Sequence, residues 1–447
     1  MQRSFLHRSI YIGILVIFAL CSLFCWMQEK RSVLPVYQLP LLCLFCFLVF
    51  RKIRIHINSL SVLTISLVCV IRYGIYPVTI CLENADGSSY VILSRDALNL
   101  MLYEMIVVLF FLNFYTRRLD DVKKNSSSII ADYKLSTLNK FLLLLAFSLV
   151  LFFPSLLSVF HFFGIAKSKV PISGVVSIAF LSGLYVGYLF LLSKLSRSGK
   201  GGLVSLFASL LIGVVFIFCI AIGNGSVSRW AFLWIGIPTL IILSDMYPNH
   251  KRTLVVFSCM ALPFAIIAGS FLKFALSDFS ITMFFSNFIT SESLSEYFGG
   301  LSGLSYSMQN LVIDPKAGTL YSTLTDLFCS TPLLSSIFDF EQYSTQSIYL
   351  DYLGRTDLIC PLLGQSYAHF GFWGAPIFSI MMTLFAVEFE RISFKANNVY
   401  LKYPSLSLCI TFSLFMCLNS IIILSNAWAL IVFLIIQLYN RRLCYQL

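Results

Sequence analysis

The sequence has little charge. Only 11% of its 447 residues are Asp, Glu, Lys or Arg, whereas 58% are hydrophobic and the mean hydropathy is +0.87. Soluble proteins carry about 25% charged and about 45–50% apolar residues, so the composition excludes an ordinary water-soluble domain. Apolar runs of about 20 residues recur along the chain, which is typical of membrane-spanning helices. We therefore predict an all-α, polytopic membrane helical bundle.

Several motifs are absent. The chain has no GxxxxGK[ST] or dinucleotide fingerprint and no Cys/His spacing of a zinc site, so we expect no nucleotide, metal ion or other cofactor. No internal repeat is visible, which argues against a transporter. The first apolar run is followed by Glu29, Lys30 and Arg31 and by no A-x-A-like cleavage site, so we interpret it as a span and not as a signal peptide.

About twelve segments are apolar enough to be predicted as spans. Eleven is the open alternative, because the eighth segment is short and we expect the last two to be joined by a tight turn at SNA (425–427). The predicted spans are 9–26, 33–50, 60–80, 98–115, 141–163, 174–193, 203–222, 230–244, 253–272, 366–388, 405–421 and 423–439.

Lysine and arginine concentrate in alternate loops, which the positive-inside rule assigns to the cytoplasmic side. The predicted inner segments are 51–59, 116–140, 194–202, 245–252, 390–404 and the C-terminal tail. The outer loop 81–97 is acidic, and the outer loop 164–173, with two lysines, is the exception. We predict that both termini lie inside, N-in and C-in. The net charge of +11 then binds the inner leaflet and does not indicate nucleic acid.

One insert, residues 273–365, is long and hydrophilic. It carries nine acidic and three basic residues, and it is too long for a simple connector. We predict three parts: spans one to nine (1–272), a large extracytoplasmic loop with short helices (273–365), and spans ten to twelve (366–447). Cys329 and Cys360 both lie in this insert, either as a disulfide or as free thiols.

Two arginines lie where predicted spans meet the outer side. Arg229 closes the turn GNGSVSR (223–229) before span eight, and Arg355 comes shortly before span ten. Without a nucleotide motif, a substrate on this face has to arrive already activated, and a polyprenyl diphosphate fits that requirement. Guanidinium groups form paired hydrogen bonds with phosphate oxygens. Ser228 and the neighbouring glycines leave backbone N–H groups free at a helix start, which favours anions.

Each arginine also has a plain structural explanation. Arg229 is explained equally well by snorkelling to the interface, and Arg355 by a surface ion pair with Asp351 or Asp357. Arg72 is unusual because it lies inside span three, where a charge is costly and is a functional candidate by default. Glu104 lies at a similar depth in span four, so an Arg72–Glu104 pair is expected, either as a structural contact or as a means of positioning Arg72.

The stretch LLGQSYAHFGFWG (362–374) connects the outer insert to span ten. It resembles the hallmark G-E-x-Y-x-N-F-G-x-x-G of the Wzy-type O-antigen polymerases, the oligosaccharide repeat-unit polymerases of bacterial surface polysaccharide synthesis. The matching residues are Gly364, Gln365, Tyr367, His369, Phe370, Gly371 and Gly374. The GNGSVSR turn is similar to the family's G-x-R motif, and TDLFCSTPLLSSIFD (325–339) is similar to its I-P-x-x-x-x-P stretch. Gln365 replaces the usual Glu, and His369 replaces the usual Asn.

The resemblance implies an activity and a location. A GT-C-like bundle in the bacterial inner (plasma) membrane would transfer a growing glycan from undecaprenyl diphosphate to a new lipid-linked repeat unit. This block transfer would occur on the extracytoplasmic face, for O-antigen or capsule synthesis. The implied partners are the undecaprenyl-diphosphate-linked oligosaccharide and membrane lipid, with a chain-length regulator and a flippase as further candidates. Neither a metal ion nor nucleic acid is implied.

The implied chemistry assigns roles to residues. Arg229 and Arg355, with Arg72 as a third candidate, would stabilise the leaving diphosphate. His369 is the leading candidate for the base that takes the acceptor proton, followed by Asp351 and Asp357. The predicted substrate-binding residues are Arg72, Ser228, Tyr352, Gln365 and Tyr367. The structural alternative for His369 is lining of the interface, and for the tyrosines it is packing.

Two other functions stay open at this point. A ligase-like glycosyltransferase would use the same donor with another acceptor. A flippase or exporter of lipid-linked oligosaccharide would not be an enzyme, and it should show repeated halves and charges spread through a central cavity.

Overall fold

A computed structural model describes most of the chain, and all structural statements concern the described part. The described residues are 13, 16–17, 19–21, 23–24, 27, 38–50, 59–82, 88–124, 135–153, 156, 174–198, 202–221, 230–254, 256–257, 298, 300–314, 318–331, 334, 343–353 and 359–446. Predicted spans one and nine lie mostly outside these residues.

The described residues are almost entirely helical. A π-helical segment, Ile71–Ile75, interrupts the third predicted span, and short 3₁₀ segments lie at Pro248–His250 and Phe415–Cys417. The α-helices are α1 (Leu39–Phe50), α2 (Leu60–Val70), α3 (Tyr76–Leu82), α4 (Ser88–Lys124), α5 (Thr137–Phe152), α6 (Gly174–Ser198), α7 (Leu203–Ala221), α8 (Ala231–Trp234), α9 (Gly236–Met246), α10 (Leu301–Ile313), α11 (Leu320–Ser330), α12 (Thr345–Leu353), α13 (Leu362–Gly374), α14 (Ile377–Lys395), α15 (Val399–Ser413) and α16 (Ser420–Gln446).

Five helical stretches in the described part are long and apolar enough to cross a membrane. They are Leu60–Thr79, Asp96–Thr116, Gly174–Arg197, Leu203–Ile220 and Ser420–Asn440. They coincide with predicted spans three, four, six, seven and twelve. The pair α13 and α14 would make a sixth if it is counted as one span. The all-helical, membrane-type fold is therefore confirmed, whereas the total of twelve spans and their orientation stay predictions.

Two boundaries differ from the sequence-based expectation. Span ten is not one straight helix, because α13 and α14 are bent by 108° at a short break. The tight turn expected at SNA (425–427) is also wrong: these residues lie inside α16, and the chain turns earlier, around the 3₁₀ segment Phe415–Cys417. Asn419 begins α16 there, because its side-chain oxygen accepts the N–H of Ile422 at 2.8 Å.

The chain forms two compact units. The first contains Met1–Asp121, Phe285–Glu390 and Cys409–Ser425, and the second contains Val122–Phe284, Arg391–Leu408 and Asn426–Leu447. This division does not test the three parts predicted from the sequence, which were drawn by hydropathy and not by contacts.

In the first unit, a buried carboxylate holds the start of α2. Glu390 accepts the backbone N–H groups of Leu60 at 2.6 Å and Ser61 at 3.1 Å. It also accepts the hydroxyls of Ser59 at 2.7 Å and Ser61 at 2.5 Å. A helix leaves its first N–H groups without helical partners and carries partial positive charge at that end. The Glu390 carboxylate therefore accepts the N–H groups that α2 leaves unpaired and links α14 to α2.

In the second unit, aromatic rings and small polar groups hold the helices together. Tyr188 of α6 stacks on Phe216 of α7 with ring centroids 3.9 Å apart. The Tyr247 hydroxyl lies within 2.7 Å of the Ser205 hydroxyl and 2.8 Å of the Ser209 hydroxyl. In a membrane bundle, such side-chain hydrogen bonds supply association that the hydrophobic effect cannot provide among lipid tails.

The Glu390 contact gives a testable prediction. Glu390→Ala leaves buried donors at the start of α2 without an acceptor, which costs about 3 kcal/mol of stability. We expect a clearly lower unfolding temperature for the detergent-purified variant. Glu388→Ala is the matched control, because Glu388 is an exposed carboxylate on the same helix. Equal unfolding temperatures for the two variants would contradict the assigned role of Glu390.

Candidate functional site

Helix α13 contains the segment that carries the family resemblance, and it ends in a sharp bend. Gly371 has φ +67° and ψ −171° inside this helix, a conformation that is essentially restricted to glycine. The chain then turns by 108° into α14. The two glycines of the F-G-x-x-G pattern therefore lie at the bend, and the polar residues of the motif lie on the helix before it.

A buried aspartate on α11 receives four hydrogen bonds at this place. Asp326 accepts the backbone N–H of Thr345 at 2.9 Å and its hydroxyl at 2.6 Å. It also bonds to Nε2 of Gln365 at 2.6 Å and Nε2 of His369 at 3.0 Å. Thr345 is the first residue of α12, so the carboxylate also meets the positive end of that helix. One side chain therefore joins α11, α12 and α13.

The spacing of the motif explains why two of its residues reach the same carboxylate. Gln365 and His369 are four residues apart on α13, so they lie on one face of the helix. The Gln365 amide donates to Asp326, and its oxygen accepts the backbone N–H of Ser420 at 3.1 Å. Because a carboxylate only accepts and an N–H only donates, this position needs a group with both functions. A glutamate at position 365 would instead place two carboxylates in contact.

His369 is enclosed by this network. Its side chain has 0% exposure, and Nδ1 lies 3.0 Å from the hydroxyl of Thr323. The rings of Phe370 and Phe378 flank the imidazole, each with its centroid 6.0 Å away. Since the Asp326 carboxylate is an acceptor, Nε2 carries the proton, and Nδ1 of the neutral ring keeps its lone pair. The arrangement fixes one tautomer.

Local sequence features bring α11 against α13. Thr319 caps α11, with its hydroxyl accepting the N–H of Ser322 at 3.2 Å. Gly318 precedes it with φ +74°, and a Cβ at this position would collide with the carbonyl oxygen of Ala368 on α13. Only glycine allows both the left-handed conformation and this close approach. The approach places Thr323, one turn into α11, beside His369.

The remaining predicted site residues lie in different places. Gln365 and His369 are brought together, and Tyr367 lies half-buried on the same helix. Asp351 and Tyr352 lie at the end of α12 with exposed side chains, and Tyr352 is 55% exposed. The other four, Ser228, Arg229, Arg355 and Asp357, fall outside the described residues.

Arg72 is buried inside the first unit and is paired as expected from the depths of spans three and four. Its Nη1 lies 3.3 Å from Glu104, and both side chains are 1% exposed. The other oxygen of Glu104 accepts the hydroxyl of Ser379 of α14 at 2.5 Å. Arg72 belongs to the π-helical segment and also faces the ring of Tyr73 at 5.3 Å. These contacts are compatible with both roles considered for the pair, a structural contact and the positioning of Arg72.

Cys329 and Cys360 are not joined by a disulfide in the structure. Cys360 is fully buried against Ile348 and Tyr349. Burial raises the pKa of its thiol well above the usual range, and the charge of Asp326 raises this pKa further. Cys360 is therefore held as a neutral thiol in the packing of the first unit. In the described part, no group of three His, Cys, Asp or Glu side chains is placed to hold a metal ion.

Sequence reasoning missed Asp326, which it counted only among the acids of the insert. A local signal existed, since Ser322, Thr325, Asp326 and Ser330 recur at helical spacing and all are buried on one face of α11. Polar residues along the buried face of a helix need partners. Those partners are 39 and 43 residues away in the chain, which a local pattern does not reveal.

The contact between Gln365 and Asp326 gives a second prediction. Gln365→Glu brings two carboxylates together, and such a pair cannot ionise fully without strong repulsion. The pair therefore holds a proton with a raised pKa in the folded protein, so the variant is most stable at acid pH and loses stability as the pH rises. We expect a loss of about 3 kcal/mol at neutral pH, measured as a pH-dependent unfolding temperature.

The matched test is the double variant Gln365→Glu with Asp326→Asn, which exchanges the amide and the carboxylate. It restores one donor facing one acceptor between positions 326 and 365, so the unfolding temperature at neutral pH should rise above that of Gln365→Glu. Recovery should be partial, because an asparagine at position 326 has one acceptor oxygen fewer for Thr345 and His369. A Gln365→Glu variant as stable as the wild-type protein at every pH would contradict the contact.

No protein-family model, curated protein or solved structure matches the chain. The resemblance of segment 362–374 to the O-antigen polymerases therefore stays a prediction from its own residues.

Proposed function

We propose that the chain is a Wzy-type polymerase of lipid-linked oligosaccharide repeat units. The observation that supports this most is the coincidence of two independent features on α13. The residues that resemble the family's hallmark are also the residues that meet a buried carboxylate, Asp326, directly before a glycine-dependent bend. The pair combines a histidine with a buried carboxylate, the combination that proton transfer uses.

The reaction transfers a glycan from one lipid diphosphate to another lipid-linked unit. The acceptor hydroxyl attacks the anomeric carbon, and the bond from that carbon to the diphosphate oxygen breaks with its electron pair on the oxygen. The leaving diphosphate develops charge and is stabilised by cations held in place beforehand. Arg229 and Arg355 are our candidates for this role, on the strength of their predicted positions at outer span ends. Arg72 stays the third candidate, with its guanidinium positioned by Glu104 at 3.3 Å.

The acceptor hydroxyl loses a proton in this reaction, and His369 is the base that accepts this proton. A histidine is a suitable base when a carboxylate fixes its tautomer and stabilises the imidazolium that forms. Asp326 meets both requirements, since it bonds to Nε2 at 3.0 Å and leaves Nδ1 facing a hydroxyl. Asp351 and Asp357 become secondary candidates. Gln365 acts on the acceptor only through Asp326, which it orients.

The proposal places the site in a particular cellular setting. The chain would be a GT-C-like bundle of about twelve spans in the bacterial inner (plasma) membrane, with both termini in the cytoplasm. Insert 273–365, including α10, α11 and α12, would face the extracytoplasmic side, where lipid-linked repeat units are displayed. Undecaprenyl-diphosphate-linked oligosaccharide would be the substrate, and a flippase and a chain-length regulator would be functional partners. No cofactor or nucleic acid enters the proposal.

The test is polymer formation by the purified protein. Lipid-linked repeat units are extracted from cells in which the gene is deleted, and they are mixed with the protein in detergent or liposomes. We expect a ladder of products that differ by one repeat unit. Single repeat units carried to another acceptor would indicate the ligase-like activity, and transport across liposomes without bond formation would indicate a flippase. Either outcome would overturn the polymerase proposal.

Substitution of Arg229 tests the leaving-group role. Arg229→Ala should reduce the ladder by at least about 100-fold, because loss of one group that stabilises a developing anion typically costs that much. Arg229→Lys should recover only part of the rate, because an ammonium cannot form the paired hydrogen bonds of a guanidinium. Arg197→Ala is the control, since Arg197 lies in the last turn of α6, at a predicted inner end. Normal ladders from Arg229→Ala would remove Arg229 from the site.

A further inference from the structure

The acceptor sugar cannot touch His369 directly in this structure. The imidazole has 0% exposure, Asp326 covers Nε2, and the rings of Phe370 and Phe378 lie on its sides. Its other nitrogen, Nδ1, faces the hydroxyl of Thr323 at 3.0 Å. A base that receives a proton from a bulky sugar either becomes uncovered or receives the proton through a neighbouring group.

Thr323 is that neighbouring group. It is half-buried, so it lies between the enclosed imidazole and the surface of α11. Its Oγ1 has two partners, Nδ1 of His369 at 3.0 Å and the backbone carbonyl of Thr319 at 3.1 Å. The N-cap of α11 and the contact of Gly318 with α13 hold it at this position. A hydroxyl can donate one proton and accept others, so it can receive a proton on one side and release one on the other.

The two partners of Thr323 allow two proton arrangements with the same heavy-atom positions. With a neutral imidazole, the Thr323 hydroxyl donates to the lone pair of Nδ1. With an imidazolium, Nδ1–H donates to Thr323 Oγ1, and the threonine hydrogen turns toward the carbonyl of Thr319. In both arrangements, Nε2 of His369 keeps its proton and donates it in a hydrogen bond to Asp326. The network therefore accepts one proton without breaking a hydrogen bond, as expected for a proton-holding site.

We propose that Thr323 relays the acceptor proton to His369, an inference that rests on the proposed function and names its route. The acceptor oxygen forms the new bond to the anomeric carbon, and its proton moves to Thr323 Oγ1. The hydrogen already on Thr323 moves at the same time to Nδ1 of His369. The bond between the anomeric carbon and the diphosphate oxygen breaks, and its electron pair leaves with the diphosphate. His369 later returns the proton to solvent by the same route.

The relay assigns distinct roles to the three side chains. Thr323 contacts the acceptor and is the catalytic residue in the strict sense. His369 stores the proton behind it. Asp326 is a positioning residue, because it fixes the Nε2 proton and stabilises the imidazolium without contacting the sugar.

Three variants of Thr323 test the relay in the ladder assay with extracted lipid-linked repeat units. Thr323→Val keeps the shape and removes the hydroxyl, so the kcat for chain extension should fall by about 100-fold or more. The KM for the repeat unit should change little, since the relay acts on proton transfer and not on binding. Thr323→Ser keeps the hydroxyl and should retain a rate close to that of the wild-type protein. Thr323→Ala removes it and should behave like Thr323→Val.

Thr331→Val is the matched control. Thr331 is the C-cap of α11, and its hydroxyl lies 2.9 Å from the carbonyl oxygen of Leu327, four residues earlier, just as the Thr323 hydroxyl lies 3.1 Å from that of Thr319. Thr331 contacts no histidine among the described residues, so its substitution should leave kcat unchanged. The serine and alanine variants of Thr323 differ only in the hydroxyl and both lack the methyl group. Their comparison therefore stays informative even if Thr323→Val lowers the unfolding temperature.

The outcomes separate the relay from the proposed function. If the wild-type protein forms no ladder, the proposed function is wrong and the relay with it. If the wild-type protein forms a ladder and His369→Ala does not, but Thr323→Ala extends chains at the wild-type rate, the polymerase stands and the relay is overturned. Equal loss of kcat in the serine and alanine variants would also overturn the relay, because it would assign the methyl group and not the hydroxyl to the effect.

Discussion

The buried carboxylate of Asp326 is the constraint on which the candidate site depends. A charge removed from water is strongly destabilising unless hydrogen-bond donors replace the water. Asp326 is 3% exposed and receives its donors from α12 and α13, while it belongs to α11. The three helices cannot separate without leaving a charge unsolvated. The hydrogen-bond network also reaches α16, because the same Gln365 that donates to Asp326 accepts the N–H of Ser420.

Three buried carboxylates in the described part of the first unit are satisfied in different ways, and the difference separates structure from chemistry. Glu390 is surrounded by backbone N–H groups and serine hydroxyls, and Glu104 by Arg72 and Ser379. None of these partners changes its charge near neutral pH. Asp326 is bonded to a histidine, the one side chain whose ordinary pKa lies there. Asp326 therefore has a titratable partner, whereas the partners described for Glu390 and Glu104 link helices.

Sequence reasoning succeeded where hydropathy and depth in the predicted spans carried the signal, and failed where they did not. Apolar run length predicted the stretches Leu60–Thr79 and Leu203–Ile220 well, because a membrane fixes the length of a spanning helix. The Arg72–Glu104 pair followed from matching depths in neighbouring antiparallel spans. The bend in span ten was not predicted, because hydropathy does not show that Gly371 has a positive φ. The role of Asp326 was not predicted, because its partners Gln365 and His369 lie some forty residues away in the chain and contact it only in the folded protein.

The two departures from the polymerase hallmark are explained together once Asp326 is in place. A hallmark glutamate at position 365 would face the Asp326 carboxylate, so an amide that can donate to it is the compatible residue. A histidine at position 369 reaches the same oxygen from one helical turn further on, at 3.0 Å. The negative charge beside position 369 therefore comes from α11 and not from α13. Because Gln365 and His369 bond to the same carboxylate oxygen, Asp326, Gln365 and His369 form one unit, and the effects of their substitutions on stability should not be additive.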